Sequence, residues 1–253
     1  MQGKYYTTTV APNIDTAGAT AYGVADVLFD WFPFEIPNGA ASIVSLSFKI
    51  VGTEAAQANH LDFDMLFARS INGVAPTTLG TANGVTTAAL AAAYRRNIFS
   101  AIPVDFSRRA MMNIDGLISY DVAGQGSTPV NSIRTVLSGD PSYASTSGYQ
   151  TIWIGGMANG TFDFGTGVIL NETDTATLAA AGTAALDVDG VDPRNVFQVG
   201  DEVIAQDGAL LGTIASIPSD VLINLEAAHV GALANDDEIC FRQPITIEIG
   251  LEY

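Results

Sequence analysis

The final nine residues, ITIEIGLEY (245–253), alternate without a break: Ile245, Ile247, Ile249, Leu251 and Tyr253 fall on one side, Thr246, Glu248, Gly250 and Glu252 on the other. A repeat of two marks a half-buried β-strand, because successive side chains of an extended chain point to opposite faces. The same pattern recurs from Val44 to Ile50 and from Leu61 to Phe67. Each such strand needs a second layer against which to bury its apolar face. The expectation is therefore an all-β fold: a β-sandwich, jelly-roll-like, with an inserted small SH3-like β-barrel and at most one short helix.

Charge narrows the partners. The chain carries 27 acidic residues against 10 Lys and Arg, a net charge of −17, and its only lysines are Lys4 and Lys49. Neutralising phosphates requires clustered bases, so nucleic acid and anionic membrane are not expected partners. The mutual repulsion of such a surface instead suits an abundant, soluble protein. Cys240 is the single cysteine, lies in the strand-like ICF run and is read as buried packing, with no intrachain disulfide. No apolar run approaches the ~18 residues of a membrane-spanning helix. The opening MQGKYYTTTVAP has no apolar stretch behind Lys4, so folding in a reducing cytoplasm without a cleaved signal is expected.

Three parts are expected along the chain. Residues 1–22 lack sustained alternation and read as an extended arm, either a frayed terminus or a segment that orders on a neighbouring subunit. Residues 23–185 with 244–253 read as the sandwich. Within them VADVLFDWFPFEIP contains Pro33, which marks an edge strand or a strand end, and Asn38-Gly39 marks a turn. Thr86–Ser100 (TTAALAAAYRRNIFS), rich in Ala and Leu, is the helical candidate. Residues 186–243 read as the barrel insertion. DEVIAQ and ALLGTIASI are joined there by Asp207-Gly208, the signal of a two-residue type I′ hairpin, and Gly212 suggests a bulge.

The string VGDEVIAQDGALLGTIASI (199–217), followed by INLEA and ALANDDEI, resembles the small β-barrels appended to capsid, tail and fibre proteins of tailed bacteriophages. The cue is GD before a strand, a DG turn, then LGTI. Upstream, VSLSFKIVG and HLDFDMLFARSINGVAP are similar to strands of phage decoration-type sandwiches. The resemblance implies a module that binds and packs, and it brings no catalytic residues with it.

Several constellations of polar residues admit both a chemical and a structural reading. His60 and His229, the two histidines, cannot form a zinc set with one cysteine unless carboxylates join them, and no GxSxG elbow accompanies them. Asp62 and Asp64 flank Phe63 and share one strand face, about 7 Å apart by the strand rise. That spacing resembles paired glycosidase carboxylates, though a solvated face opposite the core is the simpler reading. Asp187, Asp189 and Asp192 in LDVDGVDPRN invite a calcium loop or, more simply, a turn; the EF-hand spacing fails at Gly190 and Gln198. Trp31 and Trp153 serve either core and interface packing or a carbohydrate platform.

These readings converge on a non-enzymatic phage virion structural protein with no catalytic, cofactor-binding or metal site. The favoured role is a capsid decoration, or cement, protein that contacts its own subunits (a homo-oligomer, trimer favoured) and the major capsid or other virion proteins. Its location would be the virion, assembled in the host cytoplasm. The rivals are a tail or baseplate receptor-binding protein using Trp153, Tyr120 and Asp121 on host-surface glycans, a glycan hydrolase using Asp62 and Asp64, and the major capsid protein. The single short helical candidate argues against the last.

Overall fold

Alternation becomes burial in the computed structural model, which describes residues 4–14, 21–52, 62–80, 83, 96–104, 112–114, 117–121, 135–171, 184–229 and 236–253. The strands, in chain order, are β1 (Tyr5–Val10), β2 (Val27–Pro37), β3 (Ala40–Val51), β4 (Phe63–Ala68), β5 (Ile98–Val104), β6 (Met112–Ile114), β7 (Leu117–Asp121) and β8 (Val136–Ser138). They continue with β9 (Tyr149–Ala158), β10 (Val168–Leu170), β11 (Ala185–Gly190), β12 (Glu202–Ala205), β13 (Leu210–Ser219), β14 (Leu222–Leu225), β15 (Ile239–Phe241) and β16 (Ile245–Glu252). The protein is all-β, and among the described residues every strand pairing is antiparallel.

One sheet runs β1-β16-β3-β7-β6, with β8 beside the first residues of β3. A second runs β2-β9-β4-β5. Their facing sides make one core. The first sheet supplies Ile43, Phe48, Ile50, Ile245, Ile247, Ile249 and Leu251; the second supplies Phe34, Ile36, Phe63, Met65, Phe67, Ile152 and Ile154. Ring edges meet across the layer, as between Phe48 and Phe63 at 5.6 Å. This is the β-sandwich that the alternation demanded. Pro33 lies in β2 at the sheet edge, where its missing N–H costs no ladder bond. Gly39, at a φ of 106°, turns β2 into β3 as Asn38-Gly39 signalled.

A third sheet runs β10-β11-β14-β13-β12-β15. Its two ends meet: Ile169 bridges Glu238, and Leu170 N–H donates to the Asp237 carbonyl. The sheet thus curls around its own apolar cluster, which includes Val168, Leu186, Val188, Val203, Ile214, Ile223, Ile239 and Phe241. It begins upstream of the expected boundary at Leu186, because Val168–Leu170 pair with Val188–Gly190. Three-residue β10 is too short for alternation to register. Gly212, at a φ of 130°, sits where the β12–β13 register shifts, so the bulge is where the glycine suggested.

Three local expectations are corrected. Residues 1–22 are not simply an arm: Tyr5–Val10 form β1 on the outer side of β16, and Ile14 and Tyr22 are fully buried in the sandwich core. The helical candidate ends in strand, since Ile98–Ser100 belong to β5 and pair with β4; residues 86–95 lie outside the described residues. An aromatic and β-branched IF pair suits a pleated surface better than a helix. The Asp207-Gly208 hairpin is not type I′. Only Gly208 has positive φ (88°), its N–H donates to the Ala205 carbonyl, and Ala205 N–H donates to the Ala209 carbonyl. That is the three-residue loop, a type I turn followed by a left-handed glycine.

Candidate interaction surface

β1 is the outermost strand of the first sheet, and its composition, YYTTTV, is aromatic and β-branched. Its register to β16 sets Tyr5 opposite Glu252, Thr7 opposite Gly250 and Thr9 opposite Glu248. Lys4 and Tyr253 exchange both backbone hydrogen bonds at 3.1 and 3.0 Å. Antiparallel pairs alternate between bonded and non-bonded, so Tyr6, Thr8 and Val10 bond inward to β16. The N–H and C=O groups of Tyr5, Thr7 and Thr9 therefore point away from the sheet. The side chains follow the same alternation: Tyr5, Thr7 and Thr9 are exposed, Val10 is buried, and Tyr6 packs on Tyr149 with ring centroids 6.0 Å apart. Tyr5, 73% exposed, and Tyr253, 44% exposed, add apolar surface at the end of this edge.

The other sandwich edges are blunted. β2 carries Pro33 and Pro37 as well as Asp30 and Glu35; β5 carries Pro103; β6 and β8 are three residues each. Prolines, charges and brevity are the usual guards of a sheet edge. Sequence reading passed over β1 because short threonine-rich strands show little hydrophobic contrast. The signal that was present was β-propensity.

The two tryptophans do a structural task. Both belong to the outward side of the second sheet, where residues 70–80 cover it. Trp31 Nε1–H donates to the Thr77 carbonyl at 2.8 Å, and Trp153 Nε1–H to Ser70 Oγ at 3.1 Å. Asp30 accepts from Leu79 N–H at 2.7 Å, and Asp140 from Gly73 N–H at 2.9 Å. The Gly73 and Ser142 amides hold the Asp140 carboxyl below its usual range. Leu79 is buried there with Val27 and Leu66, under Trp31. Trp153 also meets Tyr143 edge-on at 5.7 Å. Tyr120 and Asp121 lie in β7 of the other sheet, so the backbone does not bring them beside Trp153.

Asp62 and Asp64 are half-buried; the Asp62 carbonyl accepts from Asn159 N–H, and Asp64 sits within β4 opposite Met157 and Pro103. Their face is not simply solvated, since Leu66 shares it and is buried. His60 lies outside the described residues, and His229 is buried. Asp187 and Asp189 are in β11, opposite Leu222 and Ile169. Asp192 instead caps the short 3-10 turn Pro193–Asn195 and pairs with Arg194 at 2.7 Å, which lowers its carboxyl pKa. Among the described residues no three His, Cys, Asp or Glu side chains converge as a metal set. Cys240 is fully buried, and burial pushes its thiol up.

A polar cleft of about 380 Å³ lies where the curled sheet meets the chain's return, lined by Gly200, Asp201, Glu202, Thr213, Phe241 and Gln243. Its carboxylates have internal work: Glu202 pairs with Arg242 at 2.8 Å, and Asp201 accepts from Gln198 N–H at 2.7 Å.

No family model and no curated protein matches this chain. Among solved structures, the crystal structure of the infectious bursal disease virus VP2 subviral particle is similar at 11% sequence identity, with a TM-score of 0.22. That overlap covers 99% of this chain and 41% of the VP2 chain, so the protein spans less than half the length of that neighbour.

Proposed function

We propose that this protein is a non-enzymatic structural component of a tailed-phage virion, a capsid decoration or stabilising protein that acts through contacts with its own subunits and with the shell. The observation that carries the reading is the outer edge of β1, which no strand pairs among the described residues. A six-residue strand with no proline and no charge, ending beside exposed Tyr5 and Tyr253, offers main-chain hydrogen bonds and apolar area to another chain. The charge of −17 adds a second support, since an acidic surface suits the outside of a particle, away from packaged DNA. The resemblance of 199–217 to phage appendage barrels supplies the virion context, and self-association of the chain is expected. A glycan receptor role is less well supported, because Trp153 is engaged by Ser70 and Tyr143 while Tyr120 and Asp121 lie on the other sheet.

The test is co-sedimentation with particles assembled without the protein, run beside a glycan-hydrolysis screen. Stoichiometric attachment is expected for the native chain and equally for the Asp62→Asn, Asp64→Asn double variant. Hydrolysis by the native chain that disappears in the double variant would replace this reading with the enzyme. Absence from particles would reject the virion role.

A further inference from the structure

We infer that β1 is a homotypic contact: it pairs antiparallel with β1 of a second copy about a two-fold axis at Thr7, joining the two β1-β16-β3-β7-β6 sheets into one. The inference rests on the structural reading above and names the partner of its open edge. Three features of the edge make it self-complementary. First, the outward-facing backbone groups belong to Tyr5, Thr7 and Thr9, which are spaced evenly about Thr7. Reversing the strand on itself sets Tyr5 against Thr9 of the second copy and Thr7 against its own counterpart. All three positions become bonded pairs, about six new main-chain hydrogen bonds.

Second, the side-chain pairs created are favourable ones. Threonine meets threonine on the axis, and an aromatic ring meets a β-branched residue at either side. Third, the acidic surface does not oppose the contact. The nearest glutamates, Glu248 beside Thr9 and Glu252 beside Tyr5, are brought to a separation of three strand spacings, about 14 Å. That exceeds the Debye length at physiological salt. Pairing through one short strand falls short of the ~1,000 Å² of a stable free-standing interface. The association is therefore concentration-dependent in solution and becomes persistent when many copies are held side by side.

The experiment uses the full chain. Because Thr7 N–H points outward, Thr7→Pro removes a donor from the contact and none from the β1–β16 ladder. Sedimentation equilibrium from micromolar to near-millimolar protein should show the native mass rising above 26.4 kDa towards twice that value, and Thr7→Pro holding at the monomer with an unchanged far-UV spectrum. A second pair of variants fixes the register. Residues facing each other in a bonded pair have Cα atoms about 5.5 Å apart, within disulfide reach. Thr7→Cys should thus give a covalent dimer under mild oxidation. Tyr5→Cys should not, since its counterpart lies about 13 Å along the strand; buried Cys240 does not interfere. Equal association of Thr7→Pro and the native chain, or equal cross-linking of the two cysteine variants, overturns the contact. A native chain that stays monomeric while coating particles overturns this inference and leaves the structural role standing. Pairing through Thr7 by a chain absent from particles rejects the structural role and leaves the contact.

Discussion

Tyr22 is fully buried, stacked on Phe162 at 5.5 Å and edge-on to Phe164 at 5.9 Å, yet its hydroxyl has no hydrogen-bond partner among the described residues. Burial, helped by the neighbouring Cys240 and Asp26, pushes its phenol pKa well up, so the group stays neutral. A buried, unsatisfied hydroxyl carries its desolvation cost without return, whereas the ring fills the core. Tyr22→Phe should therefore raise stability by about 1 kcal/mol, while Tyr22→Ala should lower it by about 3–5 kcal/mol. Urea midpoints at constant m-value measure both, and a destabilised Phe variant would mean that the hydroxyl is satisfied after all. Nothing in the sequence marked Tyr22 as core, because it sits on an isolated bridge to Phe162 rather than in an alternating strand. The tryptophans were legible only as large rings of uncertain use. An indole N–H near a buried face needs an acceptor, and residues 70–80 provide two, but that pairing joins positions 46 and 83 residues apart.

At the scale of elements, the Asp207 hairpin shows how composition gives a turn's place before its type. Asp-Gly between two alternating runs does connect β12 to β13, but Gln206, Asp207 and Gly208 all lie in the loop, and only Gly208 takes the left-handed conformation. Asp207 has a different task, accepting from Ala209 N–H at 2.9 Å. The two residues should therefore respond unequally to valine. Gly208→Val forces a β-branched side chain to positive φ and should cost about 1–3 kcal/mol. Asp207→Val loses only the exposed side-chain bond and should cost about 1 kcal/mol or less. Equal losses in chemical denaturation would restore the type I′ turn, in which both positions need positive φ. The faces of β3, β4 and β16 were readable from alternation, since a period of two states which side is buried. It does not state which strand lies alongside. That β16 sits between β1 and β3, two strands from the first part of the chain, follows from packing of the assembled layers.

At the scale of the molecule, the two larger apolar clusters share one chain, and the join between them is small and definable. Val51, at the end of β3, packs against the curled sheet's cluster, and its N–H donates to the Pro244 carbonyl. No side chain could stand at Gly52, whose φ is 73°, since a Cβ there would lie 2.6 Å from the Phe241 ring and 3.4 Å from Thr166. Ile14 N–H donates to the Arg242 carbonyl, and Gln243 bonds Asn13 at 2.8 Å. The two ends of the curled sheet thus lie side by side, Pro244 at Val51, the last residue of β3, and Thr166 at Gly52, the residue after it. Closing so short a gap costs little chain entropy. Replacing residues 167–243 by a short Gly/Ser linker should therefore leave the sandwich folded. Its strands pair without the excised ones, and its core draws only on residues up to Phe164 and from Ile245 onward. The cost should be modest, on the order of 1–3 kcal/mol, from exposing Val51 and losing the bonds to Ile14 and Asn13. An excision starting at Leu186, the boundary visible in the sequence, should do worse, because it strands β10 without β11 and leaves Val168 and Leu170 uncovered. A cooperative thermal transition in the first variant, with a lower midpoint or insolubility in the second, is the expected result. Loss of soluble protein in both would show that the sandwich depends on the curled sheet for its folding.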